Sequence, residues 1–302
     1  MAEPSESVPL NLRDLDAIEM AAALAPFGVT LDVSRRVFAA VHRDGVSSMV
    51  EAQPRVRGLS AATARAIDRQ AIWPTIEIVD KRQSADGFVK YLFRLPGGAE
   101  IEAVRIPLPD PDVARAMRAK RAENENSLGL VALPTAKYTV CLSSQAGCAL
   151  ACDFCETGRL GGIRNLDTWE IVAQLRHIAA DAELPIRGAV FMGMGEPLLN
   201  YANVTRAGRI FSNPAGPAIA AKAISISTAG VVPLIHRYIR EPAISFGVLA
   251  RRAEQFRTRG LDAHRKTMAV ARVDSRDSRL RRLQSTTRDH RVRDDRGRQR
   301  VP

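Results

Sequence analysis

No apolar stretch in this 302-residue chain approaches the roughly 20 residues a membrane-spanning helix needs. Its first dozen residues carry Glu3 and Glu6 and no basic segment ahead of an apolar run. This excludes a spanning helix and a secretory leader from the reading and leads us to expect a soluble, cytoplasmic protein, with no membrane partner and a monomeric state. Cysteine is scarce: there are four, all between Cys141 and Cys155, and none follows. Thiols so few and so closely grouped make a poor disulfide framework for this length and fit a metal site in a reducing compartment. Long internal repeats and coiled-coil heptads are also missing, which argues against a solenoid or a fibre. What is present is 46% hydrophobic residues, enough for a sizeable core, by length in two units of about 150 residues.

The net charge of +11 invites a nucleic-acid reading, but its location matters more than its size. Residues 251–302 hold 17 basic and seven acidic residues, leaving 27 basic and 26 acidic in the first 250. The basicity therefore belongs to the tail. That segment has few apolar residues and no clean periodicity, so it cannot bury enough surface to offset its ordering entropy, and disorder is expected for it. It reads either as a basic RNA-binding arm or as a solvated or out-of-frame extension.

Periodicity divides the rest. Residues 1–74 read as a helical module, with Ile18, Ala21, Ala22 and Ala25, then Val33, Val37, Ala40 and Val41, at helical spacing and Ser60 as an N-cap. Residues 75–135 hold a β-hairpin, Tyr91 to Leu95 and Ile101 to Ile106 around Pro96-Gly97-Gly98, followed by a charged connecting segment. Over 136–250, strands (Tyr138–Leu142, Ala189–Met192, Ile224–Ser227, and Ala243–Ala250) alternate with helices, one opened by an Asp167/Glu170 capping box. Alternation of this kind predicts an α/β fold with a parallel sheet.

The chemistry concentrates in Cys148-Ala-Leu-Ala-Cys152-Asp-Phe-Cys155. Thiolates suit iron–sulfur clusters, and three of them in one short arm can grip three corners of a cube while leaving the fourth iron open to a small molecule. Two alternatives stay open at this point: a four-thiolate zinc site with Cys141, and small buried hydrophobes. Phe154 either covers such a cluster or fills the core. Gly193-Met-Gly195-Glu196-Pro197 follows an apolar strand, where glycines permit close backbone approach and a carboxylate can hold an ammonium group. It is no dinucleotide fingerprint, because Leu198 stands where a third small residue is wanted. Ser225, Ser227 and Thr228 end the next strand, where their hydroxyls either bond a ligand or simply close the strand. Glu102 shares a strand face with Val104 and Ile106, so partial burial would raise its pKa toward that of a general base; a solvent-facing acid is the plain alternative.

On these residues the chain resembles the ribosomal RNA adenine-C2 methyltransferase family of the radical S-adenosylmethionine superfamily. The likeness rests on Cys-x3-Cys-x-aromatic-Cys, the string from Cys141 to Cys148, Arg164 to Leu166, Val190 to Asn200 and Ile226 to Pro233, and it runs from about Gly87 to Tyr238. It is looser over the helical module, which is similar in position to the family's RNA-binding domain. The resemblance implies a partial (βα) barrel, here truncated, with Cys148, Cys152 and Cys155 ligating a [4Fe-4S] cluster. It further implies that Gly195 and Glu196 contact the methionine part of S-adenosylmethionine, that Ser227 binds the cofactor further along, and that Glu102 is the proton acceptor. By the same resemblance, Cys141 matches a cysteine that pairs transiently with a catalytic cysteine near the C-terminus. The implied partners are 23S ribosomal RNA, transfer RNA and a flavodoxin-type electron donor.

The chain departs from the family after about Arg240, and the methyl-carrying cysteine has no counterpart beyond Cys155. We therefore expect an incomplete or frameshifted relative that does not complete methyl transfer. Two other readings are kept: a non-catalytic RNA-binding or regulatory protein with a cluster or zinc, and a radical enzyme with another substrate.

Overall fold

The computed structural model describes residues 9–110, 112–113, 115, 134–152, 155–241, 247–250 and 272–273. The chain begins with short helices, each started by a polar side chain that satisfies free backbone N–H groups. Helix α1 (Ala17–Leu24) has a full capping box, in which Asp16 accepts from Glu19 N and Glu19 accepts from Asp16 N, both at 3.0 Å. Thr30 opens α2 (Leu31–His42), Ser48 opens α3 (Met49–Ala52) and Ser60 opens α4 (Ala61–Asp68). The periodic reading erred at Ile18, which is 81% exposed; α1 packs through Met20 and Leu24, one turn apart, instead.

Eight strands form one sheet in the order β1-β2-β3-β4-β7-β8-β9-β10. Strands β1 (Glu77–Gln83), β2 (Val89–Arg94), β3 (Glu100–Pro109) and β4 (Thr135–Cys141) pair antiparallel in sequence. The β2–β3 turn uses Gly97 and Gly98 at φ 89° and 87°, a conformation that side chains with a Cβ disfavour. From β4 the sheet turns parallel through β7 (Ile186–Phe191), β8 (Ile224–Thr228) and β9 (Gly247–Ala250); β10 (Arg272–Val273) pairs antiparallel with β9. The β-region and the parallel strands thus share one sheet. Apart from Arg272 and Val273, the Arg-rich segment lies outside the described residues, as does most of the charged connection before β4.

Helices α6 (Thr168–Ala180) and α7 (Tyr201–Ser212) connect the parallel strands and cover one sheet face. Phe191 of β7 stacks on Phe211 of α7 at 6.3 Å, and Phe93 of β2 meets His177 of α6 at 5.8 Å. Strand alternation gives the sheet its second face. Ile101, Ala103, Val140, Ala189, Phe191, Ile224 and Ile226 point into the core, whereas Glu102, Val104, Cys141, Val190, Ser225 and Ser227 are only half-buried on the other side. The architecture is α/β, with the parallel strands forming a partial (βα) barrel. No single helix among the described residues is long and apolar enough to cross a membrane.

Candidate functional site

Because β4, β7 and β8 run parallel, their carboxyl ends lie side by side. Each leads into a segment singled out in the sequence: the cysteine arm, the Gly193–Pro197 turn, and Thr228 to Gly230. Ligands of open α/β sheets bind at such strand ends.

The cysteine arm is held by a two-stranded ribbon, β5 (Gln145–Gly147) against β6 (Gly162–Asn165), with the short α5 (Glu156–Arg159) between. Cys148 N donates to Gly161 O at 2.8 Å and Cys155 N to Cys152 O at 3.0 Å. Gly147 sits at φ 73°, and a Cβ there would lie 1.9 Å from Gly161 O. Ala151 holds the left-handed region at φ 44°, a conformation that costs a non-glycine residue about 1–2 kcal/mol. Phe154 lies outside the described residues.

Cys148 is buried, and burial pushes its thiol pKa up, with the nearby Glu196 carboxylate and Cys155 adding to the effect. Cys152 and Cys155 are half-buried. Among the described residues no three His, Cys, Asp or Glu side chains converge on one metal ion. Cys141 stands apart on β4, opposite Val104 and Val190, in hydrogen-bond contact with the Met192 backbone; burial raises its pKa.

The Gly193–Pro197 turn packs backbone to backbone on the start of the arm. Gly193 N donates to Leu142 O at 3.1 Å, and Ser144 N and Gln145 N donate to Met194 O at 2.8 and 3.1 Å. A Cβ on Gly193 would come within 2.7 Å of Ser143 Oγ, and one on Gly195, at φ 98°, within 2.5 Å of Gln145 Cβ. The two glycines are required by this contact.

Glu196 is 3% exposed, and its carboxylate accepts from Leu198 N at 3.0 Å and Ala229 N at 2.8 Å, with the Thr228 hydroxyl a further partner. Burial raises its pKa. The side chain thus ties the β7 loop to the β8 loop. Thr228 also accepts from Gly230 N at 3.1 Å. Ser225 and Ser227 share the half-buried sheet face with Cys141, since Val190 pairs with both Cys141 and Ser225.

Glu102 lies on that same face but not in an apolar setting. Its side chain is 44% exposed and forms an ion pair with Lys90 at 2.8 Å, across β2–β3. Its backbone carbonyl is closer to the arm, accepting from Ser143 Oγ at 2.5 Å.

Sequence reasoning passed over the residues that brace these segments. Gln145 accepts from Glu196 N at 2.8 Å and donates to Asn165 Oδ1 at 2.7 Å. Asn200 donates to Ser144 O at 2.8 Å and Leu166 O at 2.7 Å. Gln174 is fully buried on α6, bonded to both backbone groups of Ser143. The one signal for it was an amide within the apolar stripe of Ile171, Leu175 and Ile178. Among the described residues, clefts of about 720 Å³ beside Leu10, Phe27 and Arg69 and about 300 Å³ beside Arg35, Arg43, Arg55 and Ala215 lie elsewhere.

Known proteins resemble this chain over most of its length. A Myxococcus xanthus protein named a probable RNA methyltransferase is 46% identical over 232 residues, 77% of this chain and 58% of that protein. The dual-specificity RNA methyltransferase RlmN of Syntrophobacter fumaroxidans is 35% identical over 248 residues, 82% of this chain and 64% of the relative. The crystal structure of a radical SAM methyltransferase from Sphaerobacter thermophilus superposes with a TM-score of 0.59 at 31% identity, covering 80% of this chain and 63% of that one. The chain belongs to the radical S-adenosylmethionine RNA methyltransferase family. It spans between about half and two thirds of the length of the curated relatives it matches. No protein-family model matches it.

Proposed function

We propose that this chain carries the cluster-binding and S-adenosylmethionine-binding part of an RNA adenine-C2 methyltransferase acting on ribosomal and transfer RNA. The observation that carries the reading is the placement of Cys148, on the arm that follows β4, close to both Cys155 and Glu196 of the turn that follows the adjacent strand β7. In this reading the three thiolates hold a [4Fe-4S] cluster, which when bound supplies the electron that breaks a carbon–sulfur bond of the sulfonium. The backbone of Gly195 receives the methionine part, Glu196 fixes that turn against Thr228 and Ala229, and Ser227 faces the nucleoside part. Glu102 accepts a proton from the substrate once Lys90 releases it. The adenine C2 carbon is not nucleophilic, so plain displacement on the sulfonium methyl does not serve and a radical route is needed.

Anaerobic reconstitution with iron and sulfide tests the reading. Iron and sulfide in equal amounts, visible absorbance lost on dithionite, and reductive cleavage of S-adenosylmethionine are expected. Each of Cys148→Ala, Cys152→Ala and Cys155→Ala should lose the cluster, whereas Cys141→Ala should keep it. Tight zinc without colour would overturn the proposal in favour of a non-catalytic binding protein. Cleavage of S-adenosylmethionine with no binding of ribosomal or transfer RNA would favour a radical enzyme with another substrate.

A further inference from the structure

The buried polar network reaches from α6 to the Glu102 strand and the glycine turn through one serine. Ser143 lies between β4 and the cysteine arm and is fully buried. Its hydroxyl donates to Glu102 O at 2.5 Å and accepts from Met194 N at 2.8 Å. It therefore joins the strand of Glu102 to the turn of Gly193 to Glu196. What fixes Ser143 is Gln174, whose Oε1 accepts from Ser143 N at 2.9 Å and whose Nε2 donates to Ser143 O at 3.1 Å and, more weakly, to Glu170 O at 3.4 Å. A two-point amide contact of this kind fixes a peptide in both translation and rotation. An aliphatic side chain would fill the same volume and leave two buried backbone groups unpaired, each costing about 1–3 kcal/mol.

We propose that Gln174, a buried amide on α6 bonded to both backbone groups of Ser143, is a positioning residue for the S-adenosylmethionine site, acting through Ser143. It sets how the Ser143 hydroxyl bridges the Glu102 strand to the Met194 backbone, and so sets the distance between the cysteine arm and the glycine turn. The inference rests on the proposed function for the identity of the ligand but not for the network itself.

The test uses the full-length chain with two substitutions. Gln174→Glu keeps the acceptor for Ser143 N and loses the donor to Ser143 O. Ser143→Ala removes only the hydroxyl and leaves α6 intact, so it decides the matter should the Gln174 variant fold poorly. In the reconstituted protein both should keep wild-type iron content while S-adenosylmethionine affinity, measured by anaerobic equilibrium dialysis, falls about tenfold, the lower end for losing a support one step behind a ligand. In iron-free protein, hydrogen exchange should quicken at the Met194 and Glu196 amides while the amides of β7 keep their protection. Affinity within twofold of wild type, or exchange rising evenly across the sheet, would overturn the positioning role and leave Gln174 a core residue. Wild-type protein that assembles a cluster yet binds no S-adenosylmethionine would overturn both the inference and the functional reading.

Discussion

His42 shows how one buried side chain sets the acid stability of the protein. It lies on α2 at 5% exposure, with Nε2 3.1 Å from Leu15 O and Nδ1 buried without a partner. Burial, reinforced by the cationic Arg13 and Arg176, lowers its pKa to about 4 from the ordinary 6.5. Below pH 6.5 the unfolded chain takes up a proton that the folded protein refuses. Stability is therefore complete above that pH and falls as pH drops toward about 4, by up to ~1.4 kcal/mol per pH unit for one proton. His177, also lowered by burial, acts in the same direction. Urea titrations at pH 7 and pH 5 should show the loss, and His42→Gln should shrink it; equal losses in both proteins would show that His42 is not responsible. The cysteines are the opposite case at this scale, since spacing alone announced them. Glu102 and Glu196 were legible as acids but not in their engagements, because Lys90 and the Ala229 amide are brought to them only by strand pairing and by the meeting of two loops.

Among the elements, the β5–β6 ribbon matters most to the site and was the least visible in the sequence. Three and four residues are too few for a periodic signal, and Gly147 and Gly162 have no side chain to add to one. Gly147→Ala should force the ribbon apart, because its Cβ would meet a backbone oxygen that cannot move aside as a side-chain tip would. The expected result is a sharp drop in reconstituted iron with an unchanged far-ultraviolet circular dichroism spectrum; full iron loading would show that the arm does not depend on this turn. By contrast, α6 was readable in detail. Asp167 and Glu170 form the expected capping box, and Ile171, Leu175 and Ile178 are buried as their spacing requires. Arg164 of β6 makes a two-point pair with the buried Glu170, at 2.6 and 2.7 Å. The helix that carries Gln174 is thereby tied to the ribbon that carries the cysteines.

At the level of the whole molecule, the N-terminal helices are clamped to the barrel by charge. Arg206 pairs with Glu19 at 2.9 Å, Arg209 with Asp16 at 2.8 Å, and Trp169 N donates to Asp14 at 3.0 Å. Asp16 and Glu19 also cap α1, so the same carboxylates start a helix and dock it. Arg209→Ala should cost about 1 kcal/mol, since the pair is only partly buried, and the cost should shrink in high salt as screening weakens the wild-type pair. Thermal melts of both proteins at low and high salt measure this; a salt-independent difference would point to lost packing by the arginine stem instead.

The sequence by itself determined the cysteine spacing, the glycines beside it, the helix caps and the alternation that makes a parallel sheet, because each is a short-range pattern fixed by local backbone chemistry. Only the tertiary structure decided which groups meet at the three strand ends. Ser143 reaches Glu102 and Gln174 across 41 and 31 residues of chain, and Glu196 reaches Ala229 across 33. Partners so distant along the chain are chosen by how the sheet closes and the helices pack, which no local periodicity encodes.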